Sequence, residues 1–213
     1  MDEIIRAITI YAIPLVLAIT LPEAARGFAA HRLGDRTALM LGRLTLNPAK
    51  HIDPIGTILV PLLLIALNTG FVIGWPKPIP VNESQFAQPR RDSMLLALAR
   101  PVSNLLMGIL WVIAARLLLG AGELDSYWWK VAIAGFTLNI VLMVFNLLPI
   151  PPMDGSRIVA GFLPPRMAIQ YQRLEPYGFF ILLGLIAFGL LQTILLPVIS
   201  VVLDLLGRLF LFV

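Results

Sequence analysis

The sequence predicts an all-α polytopic membrane protein, and three observations predict it. Of its 213 residues, 59% are hydrophobic and 13% are charged, with a mean hydropathy of +0.89, whereas soluble domains carry charge on roughly a quarter of their residues. The apolar residues fall in runs of about 20 or more, the length a helix needs to cross a bilayer. Lys and Arg sit in the short connections between those runs, so the net charge of +4 reads as membrane topology and argues against a nucleic-acid surface.

Other classes drop out on composition. With no cysteine, a disulfide scaffold, a thiolate zinc site, an iron–sulfur centre and a cysteine nucleophile are excluded. The four Trp, four Tyr and eleven Phe suit the aromatic belts of a bilayer. Asp2 and Glu3 open the chain where a signal peptide would carry basic residues, and no small-residue cleavage site follows, so the first apolar run is expected to be retained.

The elements follow in order within one transmembrane domain, residues 1–213. Spans are expected near 4–30, 94–120, 127–150 and 176–206. The segment 55–81 is ambiguous. It is apolar enough to cross, yet it holds Pro61 and Asn68 and runs into Trp75-Pro-Lys-Pro-Ile-Pro80, which cannot continue a helix. Alternation of Phe71, Ile73, Trp75, Ile79 and Val81 suits an extended strand. Basic residues flank the segment on both sides: Arg32, Arg36, Arg43 and Lys50 before it, Lys77, Arg90 and Arg91 after it. By the positive-inside rule both flanks are cytoplasmic, whereas the loop 121–126, with Glu123 and Asp125, is external. Two readings stay open, a re-entrant hairpin that enters and leaves on one side, and an additional span.

Polar groups within apolar runs are candidates for function. They are Glu23, Arg26, Arg100, Ser103, Asn104, Asn139 and Asn146, with Asp154 just beyond. Ser103, Asn104 and Asn139 are explained by hydrogen bonds between helices, and Arg116 by snorkelling to the interface. The stretch Asn146-Leu-Leu-Pro149-Ile-Pro-Pro-Met-Asp154-Gly155 is different. A helix entering Pro149 must stop or kink, and the residues after it are expected to hold the Asp154 carboxylate at a fixed, non-helical place near membrane depth. That arrangement is costly unless a cation faces it.

These residues carry a resemblance. Asn-x-x-Pro-x-x-x-x-Asp-Gly at 146–155 resembles the second catalytic motif of the site-2 protease family of intramembrane zinc metalloproteases. The compact bacterial branch of that family is also similar at Arg32-Leu-Gly-Asp35, Leu41-Gly-Arg-Leu-Thr-Leu-Asn-Pro48, His51-Ile-Asp-Pro-Ile-Gly-Thr57 and Trp75-Pro-Lys-Pro-Ile-Pro-Val-Asn82. The resemblance covers nearly the whole chain. It implies a site-2 protease-like helical core, a bacterial inner-membrane location, and Asp154 at the position of a third zinc ligand.

The first motif departs from the family. Where the family has His-Glu-x-x-His, two histidines on one helical face plus the glutamate that activates metal-bound water, this chain reads Pro22-Glu23-Ala24-Ala25-Arg26. Both histidines are replaced. A catalytic zinc needs about three protein ligands, and of the family set only Asp154 is left. His31 lies more than a helical turn past the lost site, and His51 belongs to the His-Ile-Asp-Pro motif, which the family carries besides its ligands. The family's Ala-Gly-Pro is here Ala99-Arg100-Pro101, and its Asp-Gly-Gly is Asp154-Gly155-Ser156. An arginine in place of that glycine would crowd or fill a substrate channel.

A metal-free site makes physical sense. Arg26 is one turn from Glu23 and can pair with it. The family's arrangement also faces position 26 toward position 154, which would put the Arg26 guanidinium where a divalent ion sat. The alternative is that Arg26 snorkels to the cytoplasmic surface. The expected function is therefore a pseudoprotease, catalytically inactive, with vestigial Glu23 and Asp154 and a pseudo-site of Glu23, Arg26, Arg100, Asn146, Asp154 and Gly155. No cofactor is expected. The expected partners are the lipid bilayer and a membrane protein or larger membrane complex, not nucleic acid. The last segment, with Pro197 inside it, offers a lipid-facing or partner-facing surface. Two rivals remain: an active zinc protease with a non-standard ligand set, and a module that sequesters single-span helices in the inherited groove.

Overall fold

A computed structural model of the chain describes residues 2–67 and 74–211. Helix α1 (Asp2–Arg32) crosses first. A glycine with positive φ, Gly34 at +109°, turns the chain into the short α2 (Thr37–Met40). The carboxylate of Asp53 then accepts from the amides of Ile55 (3.1 Å) and Gly56 (2.7 Å) and caps a π turn over Pro54–Leu59. That turn leads into α3 (Val60–Ala66). After an extended stretch come α4 (Pro89–Gly120), α5 (Tyr127–Asn146), α6 (Asp154–Phe162), α7 (Pro165–Gln172), α8 (Gly178–Ala187) and α9 (Leu190–Leu211). No strand occurs among the described residues. Helices α1, α4, α5 and α9 are long and apolar enough to cross a membrane, and the chain is an all-α polytopic membrane protein.

Helix α5 is the most buried of the four and lies against α1, α4 and α9. Lipid is as apolar as leucine, so these helices are held by close packing and hydrogen bonds more than by escape from water. Gly135 shows the first. A Cβ there would fall on the Trp111 indole, so glycine lets α4 press that ring onto the backbone of α5. Asn104 shows the second, its Nδ2 donating to Asn139 Oδ1 at 3.1 Å, while Asn139 Nδ2 donates to the Gly135 carbonyl at 2.8 Å. Around these sits an apolar cluster that includes Val112, Phe136, Ile140, Val144, Ile199 and Leu206.

The same asparagine repairs a defect in α1. Proline has no N–H, so Pro22 leaves the Ala18 carbonyl without its partner one turn earlier. Asn104 Nδ2 donates to that carbonyl at 3.1 Å. The helix thus stays continuous through Pro22, and α1 is joined to α4 just below Glu23.

Three boundaries differ from expectation. Helix α4 starts at Pro89, five residues before the apolar run, because Asp92 caps it by accepting from the Gln88 amide at 2.9 Å. Helix α5 ends at Asn146 instead of Ile150, ahead of Pro149. The final segment is not one helix. Gly189, at φ +69°, separates α8 from α9, while Pro197 is absorbed inside α9.

The ambiguous segment 55–81 is described up to Leu67 and again from Gly74, so the alternation at Phe71 and Ile73 lies outside the described residues. Its two ends meet. The Trp75 amide donates to the Gly56 carbonyl (3.0 Å), the Lys77 amide to the His51 carbonyl (2.9 Å), and Thr57 Oγ1 to the Trp75 carbonyl (2.8 Å). Gly56 is needed here, since a Cβ would strike the Trp75 ring. The stretch from 74 to 82 is extended and joins no ladder. With entry and exit side by side, Lys50 and Arg90 should face one compartment. Single cysteines at those positions, in a chain that has none, should react alike with a membrane-impermeant thiol reagent. Opposite accessibility would show that the segment crosses.

Candidate functional site

Glu23 lies on α1 and is fully buried. Its Oε2 accepts from Arg100 Nε at 2.8 Å and lies 2.6 Å from Arg100 Nη2. Its Oε1 accepts from the Ile79 amide at 2.5 Å and lies 3.8 Å from Arg26 Nη1. The remaining Arg100 nitrogen, Nη1, stands 3.4 Å from both oxygens of Asp154. One guanidinium from α4 therefore bridges a carboxylate on α1, 77 positions away in sequence, and another on α6, 54 positions away. The planar fork of arginine suits this, with separate donors aimed at each acceptor.

Local structure puts each member in place. Asp154 is not at a non-helical place, as the prolines before it suggested. It is the first residue of α6, where the unpaired amides of a helix start favour a negative charge. Helix α6 can begin there because residue 155 is glycine: a Cβ would collide with the Leu147 carbonyl at the end of α5. The carbonyl of Pro149 accepts from the Tyr171 hydroxyl at 2.5 Å, which ties the proline turn to α7. On α1, Gly27 makes room for the Ile79 side chain, which would meet a Cβ at 2.8 Å. The extended segment thus lies directly over Glu23.

Arg26 was expected to face Asp154. The structure gives it one ion-pair contact, the long one to Glu23, and leaves its Nε buried without a partner. The guanidinium of Arg100 occupies the space between the carboxylates, and Arg26 stands one turn away with its side chain 13% exposed. Asn146 ends α5 half-buried, and Ser103 is half-buried on α4; neither enters the cluster. His51 is fully buried, its Nε2 2.8 Å from the Thr45 carbonyl, which pins the loop before the π turn.

The family's metal can be tested against this donor set. Of the three family ligand positions, Pro22 has no donor atom and Arg26 carries a cation. The third, Asp154, faces Arg100. Among the described residues no three His, Asp or Glu side chains gather as a metal site. The residues do not fit a zinc ion, because the charge a divalent cation would neutralise is already met by guanidinium.

Sequence reasoning missed two features. The Ile79 amide on Glu23 is a backbone contact with no residue-type signal. The second is an ion-pair chain beyond the buried cluster: Arg157 Nη1 is 2.5 Å from Glu83 Oε1, Arg157 Nη2 is 3.8 Å from Glu175, and Ser93 Oγ donates to Glu83 Oε2 at 2.5 Å. It links the end of the extended segment to α6 and to the entry of α8. Asp35 anchors the neighbouring loop. Burial raises its pKa, but hydrogen bonds from Thr37 and from the Asn82 amide outweigh that and hold the carboxyl below the usual range.

Residues 10–189 match the sequence model of Peptidase family M50. The chain is 38% identical over 210 residues to "Putative zinc metalloprotease YwhC" of Bacillus subtilis, covering 93% of this chain and 89% of that one. It is 30% identical over 171 residues to "Putative zinc metalloprotease Rip2" of Mycolicibacterium smegmatis, covering 80% and 64%. A third relative, "Putative zinc metalloprotease MJ0611" of Methanocaldococcus jannaschii, is 31% identical over 146 residues, covering 68% and 71%. No solved structure matches the chain.

Proposed function

The chain belongs to peptidase family M50, the site-2 protease family, and from that premise we propose that it is a non-catalytic member, a pseudoprotease acting as a structural or accessory subunit for a membrane-protein partner in a bacterial inner membrane. The observation that carries this reading is Arg100. Its guanidinium lies between Glu23 and Asp154, so the glutamate that would activate water is saturated by Arg100 and the Ile79 amide. A general base must be free to take a proton from its substrate water, and here both carboxylate oxygens are committed.

The relatives' names put the rival reading at its sharpest, an active zinc metalloprotease. It requires ligands that positions 22 and 26 do not supply. The sequestering reading requires an open groove beside Glu23, and residues 74–82 of the chain itself lie there. Fold alone does not assign function, so the test is at the site. Protein purified without added metal should contain far less than one zinc per chain by elemental analysis, and Glu23→Gln should leave that content unchanged. Near-stoichiometric zinc that is lost on Asp154→Asn would restore the protease reading. Purification in mild detergent should then yield one stoichiometric membrane-protein partner, and a mixture of unrelated single-span proteins would favour the sequestering module.

A further inference from the structure

The loop that leaves α1 carries exposed apolar residues that neither the core nor the ion-pair cluster uses. Leu39, Met40 and Leu41 are 47%, 72% and 61% exposed, and Leu46 is 64% exposed. They are held outward by a fixed frame. Ala38 beside them is fully buried. The Arg36 amide donates to Gln85 Oε1 (3.3 Å), Arg43 Nη2 donates to the Lys77 carbonyl (3.0 Å), and His51 holds the Thr45 carbonyl. Gly42, at φ +64° with open space around it, turns the chain at the tip.

The fully exposed charges around this tip are all basic. Arg32, Arg36 and Lys50 are exposed. The acidic residues nearby are spent internally, Asp35 on the amides of Thr37 and Asn82, and Asp53 on those of Ile55 and Gly56. The loop starts where the membrane-spanning α1 ends, at Arg32. Large apolar side chains flanked by cations at the level of the headgroups match one surface, an anionic leaflet.

We infer that residues 36–50 form an anionic-lipid binding loop, in which Leu39, Met40 and Leu41 enter the acyl boundary while Arg36 and Lys50 hold phosphate headgroups. A basic residue near an anionic surface strengthens attachment about fivefold. The pair Arg36→Gln and Lys50→Gln should therefore weaken the apparent affinity for phosphatidylglycerol in mixed micelles by roughly 25-fold. The pair Arg166→Gln and Arg173→Gln, exposed cations elsewhere, should leave it unchanged. Depth is read separately, from an environment-sensitive probe on Met40→Cys in the full chain in nanodiscs. With phosphatidylglycerol present the probe should move to an apolar environment and escape an aqueous quencher, and in phosphatidylcholine alone it should stay accessible. An equal loss in the two charge pairs overturns the inference, as does a probe whose depth ignores lipid charge. A probe shielded in native membranes and water-accessible in both nanodiscs would assign the surface to a protein and overturn it as well.

Discussion

Arg100→Ala should destabilise the folded protein by about 3–5 kcal/mol, the cost of removing one partner from a buried ion pair. Glu23 is fully buried and the Asp154 side chain is 4% exposed, so without Arg100 two carboxylates would confront each other across a low-dielectric gap. Arg100→Lys should recover only part of the loss, because a point charge on a flexible stem cannot fork to both carboxylates. Arg26→Ala should stay within about 1 kcal/mol of the wild type, since Arg26 offers one contact at 3.8 Å and Glu23 keeps its stronger partners. Unfolding in detergent of Arg100→Ala, Asp154→Asn and the double variant completes a cycle. The double variant should lose less than the sum of the singles. Additive losses would mean that Arg100 and Asp154 are energetically independent, and the Asp154 arm of the bridge would have no part in stability.

The helices were legible because their signal is local. Runs near the bilayer thickness gave α1, α4 and α5 to within a few residues. The break at Gly189 was not legible, because nothing in an apolar run distinguishes a glycine at φ +69° from one inside a helix. Membership of the buried ion-pair cluster was legible in part. Glu23, Arg100 and Asp154 stood out as charges that apolar segments could not explain. Which arginine meets which carboxylate was not, for a physical reason. Spacing of three residues pairs Arg26 with Glu23 on any helix, whereas the bridge from Arg100 depends on how α4 packs against α1 and α6. The contact of Ile79 with Glu23 is harder still, because every residue except proline has the same amide. In Trp75-Pro-Lys-Pro-Ile-Pro80 the alternating prolines do leave Ile79 among the few residues of that stretch able to donate.

Histidines placed at positions 22 and 26 should not by themselves create a zinc site. Pro22→His with Arg26→His would set two imidazoles four residues apart on one face of α1, with Asp154 as a third donor. That double variant keeps Arg100, which in the present chain stands 2.6 Å from Glu23 and 3.4 Å from Asp154. A divalent ion would have to enter beside a fixed guanidinium and displace it from a carboxylate, so zinc content after metal exposure and washing should remain well below one per chain. Adding Arg100→Gly removes that cation and frees Asp154 to ligate. The triple variant should then approach one zinc per chain and gain thermal stability on metal binding, because binding to the folded state alone shifts the unfolding equilibrium. The change from Pro22 also returns an N–H to α1, which can satisfy the Ala18 carbonyl and release Asn104 from it. Elemental analysis of both variants, with unfolding temperatures read with and without zinc, decides the matter. Equal, near-stoichiometric zinc in the double and the triple variant would show that Arg100 does not guard the site and that histidines at 22 and 26 suffice for it to bind metal.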